Sequence, residues 1–411
     1  VTLDLLVTGA SEVLTCDGPA AAPPGAQLGA LPRGVVGIAG DRVVFLGAAP
    51  PPGSVGPGTR VLDAGGGFVG PGFVDCHTHL VFAGDRADEF EQRCQGRSYL
   101  EIAAAGGGLR RTVVATSAES EEALLALARP RLARLLAQGV TTAEVKSGYG
   151  DSVEAELRLL RVVRRLGTEQ PVTLSPTVLA LHGLPPGFAG RRQAWLEAVT
   201  EELLPAVQRE GLATCCDAFV EASAFEAGEV APVLAQARRL GLSVRLHVEQ
   251  LTRGSGAELA AASGARSADH LEQLGPAGIA ALAGAGTIAV LLPTSTLFAR
   301  VQPYAPGRAL RDAGVRVAVA TNLNPGSSMS ENVFLALGLA CLENGLTPAE
   351  AYLGFTRVAG EVLGTPGIGR LRVGGPADLV IYRADSYRQL PYHLAVSDVA
   401  AVVKAGRALV G

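Results

Sequence analysis

Hydrophobic and polar positions follow three different rhythms along this chain. Up to about residue 65 the apolar residues form short runs, LDLLVT, VVGIAG and DRVVFLG, broken by the Gly/Pro/Ala-rich stretch GPAAAPPGAQLGALPRG. Such runs between turn residues predict strands of a small sheet. From about Gly66 onward, apolar strand-like runs alternate with Ala/Leu/Glu/Arg-rich stretches of helical period, the pattern of parallel strands joined by crossover helices. Eight strands are predicted: 73–80, 140–147, 172–183, 212–220, 243–250, 265–272, 287–296 and 315–322. The helical stretches between them, among them EEALLALARPRLARLLAQG and EAELRLLRVVRRLG, mostly end in Gly, as a helix C-cap requires. After about residue 365 the chain returns to short strands, GRLRVGGPADLVIYR and AAVVKAGRAL. The expected architecture is α/β: a (β/α)8 TIM-like barrel over 66–364, with 1–65 and 365–411 joining as one small β-sandwich domain beside it.

Composition narrows the function classes. The chain has 411 residues, 48% hydrophobic and only 18% charged, enough to bury one large core with an accessory unit. Thirty-five Lys and Arg against 39 Asp and Glu give a net charge of -4 without a basic block, which argues against nucleic acid as a partner. Six cysteines without a CxxC pair fit a reducing cytoplasm rather than a disulfide scaffold. No apolar run approaches the roughly 20 residues that a bilayer span needs, and the amino end VTLDLLVTGA lacks the marks of a secretion signal. A cytoplasmic protein that does not enter membranes is therefore expected.

Candidate chemistry lies with the histidines. There are only six, and five of them, His77, His79, His182, His247 and His270, fall at or just past the carboxyl end of a predicted barrel strand. Barrel enzymes gather their catalytic groups there. Strand alternation points His77 and His79 the same way, and His247 is a natural third ligand for one divalent metal ion. Zinc suits imidazole ligands with an open water position, and iron or manganese can use the same set. Unrelated core histidines are the alternative reading, one that five such coincidences weigh against. Arg86 offers a planar fork for a carboxylate and Tyr149 a hydroxyl donor, although Arg86 could also be a surface ion pair within GDRADEF and Tyr149 a packed turn aromatic. The run Gly106, Gly107, Gly108 lacks the context of a phosphate loop and reads as a mobile loop covering a pocket.

Several of these stretches resemble the imidazolonepropionase family of the metal-dependent amidohydrolase superfamily. The likeness is carried by VDCHTHLVFAGDRADEFEQRCQGRSYLEIAAAGGGL, TTAEVKSGYG (141–150), LALHGLPP (179–186), RLHVEQL (245–251), SADHLE (267–272), NLNPGSS (322–328) and GGPADLVI near the end. The resemblance implies metal-dependent opening of the ring of 4-imidazolone-5-propanoate to N-formimidoyl-L-glutamate in histidine degradation, and a homodimer. It implies that His77, His79 and His247 hold the metal with a fourth ligand from strand eight, and that Arg86, Tyr149 and His182 bind the substrate. It sets His270 beside the reacting oxygen and makes Asn324, Gly326 and Ser327 the loop that receives the substrate's polar groups. A related amidohydrolase or deaminase acting on another heterocycle, and a non-catalytic relative that only binds small carboxylated molecules, are the alternatives.

Two positions need separate comment. The superfamily ends strand eight in a metal-binding aspartate that also carries a proton, whereas this chain has Asn322. An amide oxygen can touch a metal but is neutral and no base near pH 7. Glu249 and Gln250 follow His247, and each is a candidate for catalysis, Gln250 also for binding the substrate ring, with alternation placing them on opposite sides.

Overall fold

The structure is a computed structural model that describes residues 2–98, 101–102 and 105–410. Eight parallel strands lie side by side in chain order: Phe73–Asp75, Val140–Lys146, Thr173–Leu181, Cys215–Val220, Ser243–Val248, Ser267–His270, Ile288–Leu291 and Val317–Val319. Each falls within a predicted strand and is shorter, because the apolar pattern runs on beyond the ladder into the flanking loops or helices. The seventh shows this best: TIAVLLPTST contains a strand that stops at Leu291 and a helix, Pro293–Ala299, that begins with Pro at its first position.

The first and eighth strands share no regular ladder. They meet just beyond their ends, where Thr78 bridges Leu323, the His79 N–H donates to the Leu323 carbonyl at 2.9 Å and the Asn322 N–H to the His77 carbonyl at 3.1 Å. Buried Asp75 fastens this seam from below, accepting the Thr321 N–H at 3.2 Å and its hydroxyl at 2.5 Å. The barrel is thus nearly closed, and it closes at the backbone of the histidine pair.

Helices pack around the strands for reasons visible locally. Ser120 and Ser152 cap Glu121–Ala137 and Val153–Glu169 by accepting the N–H three residues on, and both helices carry Glu in the first turn. The helical stretch AWLEAVTEELLPAVQREG (194–211) is interrupted by a π-helical turn over Val199–Leu203 just before Pro205, which has no N–H to give, and it ends at Gly211 in the left-handed region.

The chain ends meet as expected. A six-stranded sheet joins Glu12–Leu14, Ala30–Pro32 and Val69–Pro71 to Leu379–Tyr382, Val399–Lys404 and Arg407–Val410, the two sets meeting where Val69–Pro71 pairs with Leu379–Tyr382. A second, four-stranded sheet comes from the amino-terminal segment alone, and the two share a core of Val7, Val36, Ile38, Val69, Leu379, Ile381 and Val403. Val69–Pro71 belongs to the shared sheet, so the small domain continues past residue 65 before the barrel begins. Among the described residues no helix is long and apolar enough to cross a membrane.

Candidate metal centre and pocket

His77 and His79 follow the first barrel strand, His247 lies in the fifth and His270 ends the sixth, so the carboxyl end of the barrel collects them. One nitrogen from each of His77, His79 and His247 lies within 4.8 Å of the others, all three buried. Second partners fix the rings. His77 Nδ1 lies 2.6 Å from Asp269 Oδ2, and His247 Nδ1 lies 3.1 Å from the Asp217 carboxylate. A carboxylate accepts only, so each Nδ1 carries its proton there and each Nε2 presents a lone pair inward. His79 Nε2 and His247 Nε2 are 3.4 Å apart, and His77 Nε2 and Asn322 Oδ1 are buried with no hydrogen-bond partner among the described residues. Burial drives His77 and His79 well below the usual histidine value and His247 down to about 4, the last despite the opposing pull of Asp217. Neutral nitrogens converging without protons between them, in a buried site, fit a divalent cation.

Beneath the histidines lies a layer of buried charge that pattern reading of the sequence missed. Lys146 Nζ is 2.7 Å from Glu144 Oε1 and 2.8 Å from Asp217 Oδ2. Arg245 donates to the carbonyls of Cys76 and Val362 and stands 3.4 Å from Glu144. Burial raises Asp269 above the usual carboxylate range, whereas at Asp217 the interactions with His247 and with the Lys146 ammonium outweigh burial and hold it below. The signal was present as Lys, Glu, Asp and Arg inside otherwise apolar strands, such as EVK and CCDAF.

Above the histidines is a cavity of about 160 Å³. Its wall includes His79, Arg86, Leu109, Tyr149, His182, His247, Gln250, His270, Asn322, Asn324 and Ser327. Tyr149 sits in a turn held by buried Glu156, which accepts the Gly148 N–H at 3.0 Å and the Gly150 N–H at 2.6 Å. Gly148 has φ +104°, and a Cβ there would lie 2.9 Å from the Leu179 carbonyl oxygen, so only glycine fits. His182 stacks on His79 with ring centres 4.9 Å apart, and burial pulls it down to about 3.

Arg86 is buried, with Nε donating to Glu89 Oε2 at 2.7 Å. The ion pair within GDRADEF therefore exists, but inside the protein and beside the cavity. Gly326 does not line the cavity. A Cβ on it would lie 2.0 Å from Arg86 Nη1, and its carbonyl accepts from Arg93 at 2.7 Å, so it makes room for the arginine. Asn324 uses its side-chain oxygen on the N–H groups of Gly326 and Ser327, both at 2.8 Å, and its amide on the Asn322 carbonyl at 2.7 Å. It shapes the loop that it shares with Ser327.

Glu249 and Gln250 separate, for a reason other than alternation. The fifth strand ends at Val248, and Glu249 turns with φ +49°. Its carboxylate then accepts the N–H groups of Gly256 at 2.8 Å and Ala257 at 3.1 Å, away from the cavity, and burial raises it to about 7 against those bonds. Gln250 faces the cavity instead. The glycine run 106–108 borders the site through Leu109, with the Gly108 N–H donated to Glu89 Oε1 at 3.0 Å.

Comparison with known proteins follows the same lines. The profile described as "Amidohydrolase family" matches residues 97–410. An imidazolonepropionase of Myxococcus xanthus is 58% identical over 98% of this chain and 97% of its own length. Another, from an Anaeromyxobacter species, is 50% identical over 98% and 95%. Among solved structures, an adenosine deaminase from Xanthomonas campestris with bound zinc superposes with TM-score 0.71 at 19% identity, covering 100% of this chain and 93% of that one. A mutant atrazine chlorohydrolase from Arthrobacter aurescens, complexed with zinc and atraton, gives 0.70 at 19%, covering 99% and 95%. At those identities the structures share a fold and no more.

Proposed function

The chain belongs to the amidohydrolase family and, within it, to the imidazolonepropionases, and from that premise we propose how its site handles 4-imidazolone-5-propanoate. The enzyme is a cyclic amidohydrolase: water adds to the ring carbonyl carbon, the adjacent ring carbon–nitrogen bond breaks, and the freed nitrogen takes a proton, giving N-formimidoyl-L-glutamate. The observation that carries the assignment of roles is a single cavity that has two members of the histidine triad, His79 and His247, and the Arg86 guanidinium in its wall. A deaminase acting on an uncharged heterocycle has no use for that arginine.

Arg86 takes the propanoate carboxylate on its guanidinium and Tyr149 adds a hydroxyl, which together orient the ring toward the histidines. His182 and Gln250 face the cavity and offer hydrogen bonds to the ring's amide-like edge. A divalent ion held by His77, His79 and His247, zinc as in the two fold relatives or else iron, supplies Lewis-acid charge that acidifies water and polarises the carbonyl. His270 lines the same cavity, its ring centre 5.4 Å from that of His247, where it donates to the oxyanion as the carbonyl is attacked.

Asn322 sets the limit on rate. Three neutral imidazoles and an amide leave the full +2 of the ion uncompensated among its nearest neighbours, where an aspartate would leave +1, so ion retention weakens. The amide also cannot ferry a proton from water to the leaving nitrogen. General acid–base groups contribute about 10²- to 10⁴-fold, so Asn322→Asp is expected to raise turnover per bound metal at least about a hundredfold. The assay is ring opening by both proteins, each with metal content measured. Comparable turnover per metal would mean that another group, His270 or Glu249, carries the proton. Ring opening only in the Asp form would make the native chain a binding protein on an enzyme scaffold.

A further inference from the structure

Lys146 ends the second barrel strand, wholly buried, and no step of the reaction uses it. We propose that Lys146 is a positioning residue whose ammonium ties the two halves of the histidine triad to each other. The inference rests on the reading of that triad as a metal site.

The connections are short and run both ways. On one side, Lys146 Nζ holds Glu144 Oε1 at 2.7 Å, and the other oxygen of Glu144 accepts the Thr78 N–H at 3.1 Å. Thr78 is the residue between His77 and His79. Its hydroxyl donates to the Glu144 carbonyl at 2.6 Å, and its own carbonyl accepts the Lys146 N–H at 3.0 Å, so its peptide plane, and with it the spacing of the two rings, is set by Glu144 and Lys146. On the other side, Lys146 Nζ holds Asp217 Oδ2 at 2.8 Å, and the Asp217 carboxylate lies 3.1 Å from His247 Nδ1. Lys146 and Asp217 stand on strands separated by the third, since Thr177 of that strand pairs with both Lys146 and Cys215. A long flexible side chain with a point charge spans that gap and satisfies two carboxylates at once. A neutral residue of the same length would leave Glu144 and Asp217 buried without their shared counterion. Arg245, the other buried cation, spends its donors on two carbonyls and stands farther from Glu144.

If one ammonium joins the halves, disturbing one half must already disturb the other. The test is a double-mutant cycle on the full chain with Co(II) as probe: Glu144→Gln, Asp217→Asn and the pair, with affinity from chelator competition and geometry from the visible absorption of bound Co(II). Each single change is expected to weaken Co(II) about tenfold or more and shift the band, as partners of metal ligands generally do. The pair should lose several-fold less than the product of the two losses. In a Lys146→Met background the two losses should multiply. Multiplying losses in the native background would overturn the proposal, as would a folded Lys146→Met protein with native affinity and spectrum. If Lys146→Met does not fold, the cycle in the native background decides alone. Failure of the unsubstituted protein to bind Co(II) would overturn the metal reading and this one with it.

Discussion

At the scale of single residues, the site depends on how closely charged groups approach one another. Arg86 already pairs with Glu89, so a substrate carboxylate must share the guanidinium with that partner. Charged hydrogen bonds are worth about 1.5–3 kcal/mol, so Arg86→Ala should raise KM by about 10- to 100-fold while metal content stays native. An unchanged KM would leave Arg86 as a structural ion pair only. Gly326→Ala offers a control that keeps the charge: its Cβ would lie 2.0 Å from Arg86 Nη1, so it should push the fork aside and raise KM in the same direction. A normal KM in that variant would show that the fork tolerates displacement. Residue types told this much in advance, since Arg86, Tyr149, His182, Gln250, Asn322 and Ser327 do share one cavity. What they could not tell was which polar side chains are spent on the scaffold. Asn324 lines the cavity yet spends its side chain on its own loop, and the catalytic candidate Glu249 spends its carboxylate on the N–H groups of Gly256 and Ala257.

At the scale of elements, strand identity was legible and strand ends were not. Strands of a parallel barrel are buried on both faces, so their apolar pattern has no alternation that stops where the ladder stops. The apolar pattern predicts a strand through His77 and His79, whereas the strand ends at Asp75 and irregular backbone held by Thr78 and Glu144 brings the two rings together. Helix starts, by contrast, carry local chemistry. Thr347 and Glu350 form a reciprocal cap on Pro348–Gly354, and Glu350 also takes Arg308 and Arg311 at 3.1 Å. Burial would raise Glu350, but the Thr347 N–H and the two arginines outweigh it and bring it from 4.5 down to about 2. A carboxylate depressed in the folded state stabilises fully above its unfolded value, and that contribution fades as pH falls from 4.5 toward 2. Glu350→Gln keeps the cap but loses the charge. It should lower the apparent Tm by up to about 1 °C at pH 7, with the gap narrowing below pH 4.5. A gap independent of pH in thermal melts would show that the ion pairs contribute nothing.

At the scale of the whole molecule, the seam and the metal centre are the same place. The first and eighth barrel strands are joined by the backbone of His77, His79, Asn322 and Leu323, not by a ladder. Three of the four donors facing the proposed ion come from the two sides of that seam, and the fourth, His247, comes from the opposite part of the sheet. A cation bound there would draw strands one, five and eight together across a seam that is held without a regular ladder. The sequence could show eight strands but not where their ring closes, because closure depends on a few backbone bonds that no side-chain pattern records. Binding at 100 times Kd stabilises a folded protein by about 2.7 kcal/mol, which over so long a chain corresponds to about 3 °C in Tm. Stripping the metal should lower Tm by that amount, and re-addition should restore it. Amide exchange should rise first at His79 and Asn322, whose N–H groups make the seam, while the ladders between strands two and six stay protected. Asn322→Asp should enlarge the metal-dependent shift, since the carboxylate binds the ion more tightly from the eighth strand. A Tm change with uniform exchange over all eight strands would mean that the ion stabilises the barrel as one unit, and that the seam is no weaker than the rest.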